Sequence, residues 1–82
     1  MEIVPKAWGQ EVWLCNEEYC GKLLDVLSGA GSSIHRHLGK KETLYCLEGQ
    51  VAFTLEEEHI VLMSGVGLVR VLPGKWHQFH SV

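Results

Sequence analysis

Apolar and polar positions alternate along this chain over short stretches, a pattern typical of β-strands. Short apolar and β-branched runs recur between Gly, Asn, Ser or Pro residues, and no window holds a helical period long enough for a helix. Many short strands at regular spacing are typical of a small antiparallel sandwich or barrel, so we predict an all-β fold. The predicted strands lie near Glu11–Asn16, Lys22–Leu27, Ser33–His37, Thr43–Leu47, Val51–Leu55, His59–Leu62, Gly67–Val71 and Trp76–His80.

Length and composition indicate one small globular domain. The chain has 82 residues, of which 46% are hydrophobic and 21% charged, which excludes a disordered segment. We therefore expect a single domain over residues 1–82. A chain this short buries a thin core, so we also expect something to reinforce it.

The net charge and the number of cysteines indicate which binding partners and which cellular compartment to expect. The net charge is −3, so nucleic acid is not an expected partner. The apolar runs are far shorter than the roughly 20 residues that span a bilayer, and the N-terminus carries no secretory signal pattern. The three cysteines are odd in number and form no CxxC pair. We expect a protein of the reducing cytoplasm, without a membrane partner.

The histidines carry the strongest chemical signal. His35 and His37 are two residues apart, so both imidazoles lie on the same face of an extended segment. Glu42 follows across a turn, where it begins a neighbouring strand, and His77 comes much later, after Pro73-Gly74. Imidazoles with one carboxylate suit a first-row divalent metal and leave positions open for a substrate. The alternative is a pair of solvent-exposed histidines, because HxH also arises by chance.

The spacing of these residues resembles the cupin superfamily. The stretch Gly29-x5-His35-x-His37-x4-Glu42-x6-Gly49 is similar to its first motif. The second motif is similar to Gly67…Pro73-Gly74-x2-His77, with Leu72 in place of the usual first proline. The resemblance implies a double-stranded β-helix, which is a small β-barrel or jelly roll. It also implies one divalent transition metal (Mn, Zn, Fe, Co or Ni) in the lumen, bound by His35, His37, Glu42 and His77.

The N-terminal third resembles the cupin sugar isomerases. Residues 6–13 and 19–24 look like the first segment of D-lyxose ketol-isomerases and, more distantly, of type II phosphomannose isomerase domains. The resemblance implies an aldose–ketose isomerase that acts on a small sugar or sugar phosphate.

Four side chains are candidates for the chemistry of such an isomerase. Glu42 is the first candidate to shuttle a proton between adjacent substrate carbons, and Lys22 is the second. Glu11 and Trp76 are candidates to contact the sugar. The last three have simpler interpretations: Lys22 as a surface lysine, Glu11 as a solvent-facing residue of its strand, and Trp76 as a core residue.

Two other functions and an oligomeric state follow from the same resemblance. A site of three histidines also suits a mononuclear iron dioxygenase, and a short cupin also suits a non-catalytic carbohydrate-binding protein or scaffold. Family members usually continue into further strands, so we expect a minimal barrel completed by a homodimer. In that dimer, residues 1–14, including a strand around Ile3–Val4, cover or extend a sheet of the partner.

Overall fold

The structure, a computed structural model that describes all 82 residues, contains eight β-strands and no helix. The all-β prediction is therefore confirmed. No helix has the length and hydrophobicity needed to cross a membrane. The strands are β1 (Glu2–Lys6), β2 (Gly9–Asn16), β3 (Cys20–Val26), β4 (Glu42–Tyr45), β5 (Gln50–Leu55), β6 (Glu58–Met63), β7 (Leu68–Val71) and β8 (His77–Ser81).

All strand pairs are antiparallel and form three sheets. The strand orders are β1-β2-β3, β4-β7 and β6-β5-β8. Alternate residues of β7 are buried and exposed, as expected for strands with one face on a core. The inward-facing side chains of the β4–β7 and β6–β5–β8 sheets meet in one buried cluster, which consists of Cys46, Phe53, Leu62, Val69, Val71 and Phe79. The two sheets therefore enclose the core as a small sandwich.

Seven of the eight predicted strands correspond to observed ones, with ends displaced by at most two residues. The predicted strand Ser33–His37 is wrong. Residues 31–37 form an irregular segment instead, which two isolated bridges join to β8: Gly31 to His80 and His35 to His77. Between these bridges the segment has one residue more than β8, so a regular ladder cannot continue. The segment still runs antiparallel along the edge of β8.

The β1–β2–β3 sheet is attached to the core at one end. The Trp8 ring meets Phe79 edge-on at 5.0 Å between centroids, and Val26 also packs on the core cluster. Gly9 has φ 148° and lies so close to the Asp25 carbonyl oxygen that a Cβ atom there would overlap it. Only glycine fits at this position, so Gly9 fixes the tight return from β1 into β2.

Candidate metal centre

Three histidines converge because the irregular segment runs beside the start of β8. His35 and His77 exchange backbone hydrogen bonds of 3.0 and 2.9 Å, and their ring centroids are 4.2 Å apart. His37 lies two residues further along, with its ring 5.3 Å from that of His35 and 5.8 Å from that of His77. One nitrogen of each ring lies within 4.8 Å of the other two. This cluster could hold a metal ion.

Hydrogen bonds to backbone carbonyl oxygens determine which ring nitrogen carries the proton in His35 and in His77. His35 Nδ1 is 2.9 Å from the Ser33 carbonyl oxygen, and His77 Nδ1 is 2.9 Å from that of Lys75. A carbonyl oxygen only accepts hydrogen bonds, so each Nδ1 carries the proton and donates. In the neutral ring, Nε2 then keeps its lone pair. This is the usual arrangement around metal-bound histidines, where a second partner orients the ring.

Glu42, the first residue of β4, brings a carboxylate beside two of the three histidines. Its Oε1 lies 3.3 Å from His37 Nε2 and 3.5 Å from His77 Nε2. Oε1 is buried and has no hydrogen-bond partner. A carboxylate oxygen and the lone pair of a neutral His77 Nε2 are both acceptors and repel each other. A proton or a cation between them would remove this repulsion, and a buried polar atom left unpartnered costs about 1–3 kcal/mol.

The donor set and its spacing fit a divalent transition metal. Two ligand atoms, each about 2.1 Å from one tetrahedral zinc ion, are separated by roughly 3.4 Å. The Glu42 Oε1 distances to His37 and His77 are close to that separation. Imidazole nitrogen and carboxylate oxygen are ligands that Zn, Fe, Ni, Co and Mn accept. The chain's residues therefore fit the metal that the sequence pattern predicted.

Electrostatics favour the ligating form of His37. Desolvation by burial lowers the pKa of His37 from its usual value of 6.5, and the nearby Glu42 carboxylate opposes this by raising it. The positive charge of Lys40 adds to the lowering. His37 is consequently neutral at pH 7, and only the neutral imidazole can bind a metal.

The cluster is closed on one side and open on the other. The His77 side chain is 2% exposed and stacks on Phe53, with 5.9 Å between ring centroids. The side chains of His37 and Glu42 are 36% and 29% exposed. A small molecule would therefore approach from the His37 side, next to residues 38–41.

The side chains of Lys22 and Glu11 both contact Trp13, away from the histidine cluster. Lys22 Nζ lies 4.4 Å from the ring centroid of Trp13, and the Trp13 indole N–H donates to Glu11 Oε1 at 2.8 Å. All three lie on one face of the β1–β2–β3 sheet, because Trp13 is paired with Lys22 and Glu11 is two residues away. Neither Lys22 nor Glu11 contacts the histidine cluster, and their assigned roles stay predictions.

Trp76 packs against Arg36. The Arg36 guanidinium lies 4.6 Å from the centroid of the Trp76 ring. Arg36 lies between His35 and His37 in sequence, and Trp76 immediately precedes His77, so each neighbours a histidine of the cluster. The structure shows no contact between Trp76 and the three histidine rings, and its contact with a sugar stays a prediction.

The contacts that hold the irregular segment in place were not predicted from the sequence. The Ser32 hydroxyl accepts a hydrogen bond from the Phe79 N–H at 3.1 Å, and the Ser32 N–H donates to the Phe79 carbonyl at 2.9 Å. The Gly74 N–H donates to the His37 carbonyl at 2.8 Å. A serine near a histidine pair gives no sequence signal of its own, because its partner is 47 residues away.

Comparisons with known proteins agree with the fold and with the histidine cluster. The sequence model of a family described as "Cupin domain" matches residues 22–82, which include every residue of the cluster. No curated protein and no solved structure matches the chain significantly. The resemblance of residues 6–13 and 19–24 to sugar isomerases is therefore without support from these comparisons.

Proposed function

The chain belongs to the cupin family, and from this and the histidine cluster we propose that it binds one divalent transition metal and acts on a small sugar or sugar phosphate as an aldose–ketose isomerase. The metal ligands are His35, His37, Glu42 and His77. The fold is the small cupin barrel that the sequence motifs implied.

One observation carries the proposal of a metal. The buried Oε1 of Glu42 has no hydrogen-bond partner and faces two imidazole nitrogens at 3.3 and 3.5 Å. His77 Nδ1 carries the proton, so His77 Nε2 and the Glu42 carboxylate are both acceptors, and a cation between them removes their repulsion. The carbonyl partners of His35 and His77 support the same conclusion, because they leave both Nε2 atoms available.

The residues around the cluster suit a reaction that moves a proton between adjacent carbons. A bound divalent metal polarises a carbonyl oxygen and stabilises the negative charge that develops on it. The Glu42 side chain is 29% exposed although its Oε1 is buried, so other atoms of this side chain face the open side. We assign to Glu42 Oε2 the role of accepting the proton from one substrate carbon and returning it to the next, while the proton of the substrate hydroxyl moves to the former carbonyl oxygen. Lys22, the second candidate from the sequence, lies against Trp13 and not against the cluster, so the proposal gives this role to Glu42.

A specific observation favours a non-catalytic carbohydrate-binding or scaffold protein as the second candidate. Lys22 and Glu11 contact Trp13, which leaves Glu42 as the single carboxylate or amine in contact with the cluster. If Glu42 is fully committed to the metal, no residue remains to shuttle a proton. Binding without turnover is then the expected behaviour.

Metal content and thermal stability test the metal site. We expect close to one metal ion per chain, and a melting temperature that rises with added metal, because at 100 times Kd binding adds about 2.7 kcal/mol to the free energy of unfolding. His35→Ala/His37→Ala should lose both properties, whereas His59→Ala, a histidine outside the cluster, should keep them. Unchanged metal content in the double variant would refute the assignment. Bound iron with oxygen consumption would instead indicate a dioxygenase.

A conversion assay tests the reaction. The metal-loaded protein, supplied with Mn, Zn or Co, should interconvert a small aldose and its ketose, with no turnover in Glu42→Gln. The matched control is Glu48→Gln, at an exposed position, which should retain the activity. No conversion across sugars and sugar phosphates, with the metal bound, would favour the non-catalytic candidate.

A further inference from the structure

Basic residues are concentrated around the histidine cluster. Residues 35–42 and 72–77 contain four of the seven Lys and Arg residues but only one of the ten Asp and Glu residues, Glu42. The four are Arg36, Lys40, Lys41 and Lys75. The chain as a whole has a net charge of −3, so this group of four positive charges differs in sign from the chain average. One further carboxylate lies near it, because Glu56 Oε1 accepts a hydrogen bond from the Trp76 N–H at 3.3 Å.

These positive charges have no acidic partner. The ion pairs of the structure join Glu42 to His37 and to His77, and no Lys or Arg lies within 4.0 Å of a carboxylate oxygen. Arg36 is held against the Trp76 ring, whereas Lys40, Lys41 and Lys75 are exposed. The lysines thus keep charges that an incoming anion can pair with.

Two of the lysines lie on the side from which a ligand would approach. The cluster is open at His37, and Lys40 and Lys41 connect His37 to Glu42. Both lysines are exposed and lie in the short connection between two side chains that are 3.3 Å apart, those of His37 and Glu42. A ligand that approaches from this side therefore meets the connection that carries both lysines.

We propose that the ligand of this site is a small anion, with a carboxylate or a phosphate group that Lys40 and Lys41 recognise. This inference rests on the proposed metal site and names the chemical class of its substrate. Unpaired charges of one sign around an opening attract a ligand of the opposite sign and raise its association rate. A divalent cation at the centre adds to this positive potential.

Three probes with a similar carbon skeleton test the proposal: glucose, gluconate and glucose 6-phosphate. Their affinities for the metal-loaded protein are measured by calorimetry at low salt, after the metal content of the same sample has been determined. We expect at least one of the two anions to bind about tenfold or more tightly than glucose, and its binding to weaken as salt is raised. The ratio of the two anion affinities distinguishes carboxylate from phosphate recognition.

Charge-removing variants separate recognition by the lysines from simple ligation of the metal. Lys40→Gln and Lys41→Gln should each weaken anion binding about threefold or more, whereas Lys6→Gln, at an exposed position of β1, should change it less than twofold. Glucose binding should not change in any of them. Equal affinities for glucose and both anions, or an unchanged affinity in both Lys40→Gln and Lys41→Gln, would overturn the proposal while the metal site stands. A sample without bound metal would overturn the proposed function and this inference together.

Discussion

At the scale of single residues, Glu42 is the side chain by which strand β4 contributes to the proposed metal site. It begins β4, where the chain leaves the exposed residues 38–41, and its side chain points to the histidine cluster. Its buried Oε1 has two imidazole neighbours and no donor. Glu42 destabilises the metal-free protein, because its Oε1 is repelled there by an imidazole lone pair. It stabilises the metal-bound protein, because the same Oε1 then binds the metal.

This reasoning predicts opposite effects of Glu42→Gln with and without metal. In the metal-free protein, the amide N–H can donate to an imidazole nitrogen, so the melting temperature should rise by about 4 °C or more. In the metal-bound protein the carboxylate ligand is lost, so metal affinity should fall by about tenfold or more. Melting curves in chelator and in added zinc check both effects. A lower melting temperature in chelator would show that Glu42 is already satisfied by a proton.

At the scale of elements, the irregular segment before β4 positions two of the three histidines. It is held on β8 by the bridge from Gly31 to His80 and the bridge from His35 to His77. A Cβ atom at Gly31 would lie 2.5 Å from the Phe79 carbonyl oxygen and 3.0 Å from His80 Cα. The close approach of the two backbones therefore requires glycine at this position.

We expect Gly31→Ala to move the segment away from β8 and to displace His35 from His77. The predicted loss is about 1–3 kcal/mol in the free energy of unfolding, together with weaker metal binding. Gly39→Ala is the matched control, because nothing lies within 4 Å of its Cβ position, and it should change stability by less than about 0.5 kcal/mol. Urea unfolding and zinc titration of both variants provide the measurement. Equal behaviour of the two would contradict the close-packing argument.

At the scale of the whole molecule, little of the chain is buried. Seven of the 82 residues are buried, and many large apolar side chains remain exposed. Three exposed ones lie on the same face of the β1–β2–β3 sheet: Ile3 and Leu23, which both flank Val12 in the strand register, and Leu14. Pro5 lies in β1 at the edge of that sheet and lacks a backbone N–H, which disfavours extension of the sheet by another strand.

We therefore expect the homodimer to form by packing of these sheet faces, with residues 1–14 covering a sheet of the partner. Light scattering at micromolar concentration should give twice the chain mass of 9.2 kDa. Leu23→Glu should shift the protein toward the monomer, whereas Leu38→Glu, which is also at an exposed position, should not. A mass of 9.2 kDa with a cooperative thermal transition would show that the chain is stable alone.

The sequence by itself determined the strand positions and the proximity of His35 and His37. Strand positions follow from local alternation of apolar and polar residues, which is why seven predicted strands match observed ones within two residues. The HxH pattern also placed His35 and His37 together, since residues two apart in an extended segment share a face. These features depend on neighbours in the chain, so they are visible without the fold.

The tertiary structure alone decided how distant segments meet. The predicted strand Ser33–His37 is irregular because its register is set by β8, and one extra residue between the two bridges cannot be seen from local pattern. The unpartnered Oε1 of Glu42, the pairing of Lys22 with Trp13 and the packing of Arg36 on Trp76 likewise depend on side chains that different strands bring together. Such contacts are fixed by register and packing between strands, and the local pattern of residues along the chain does not reveal either.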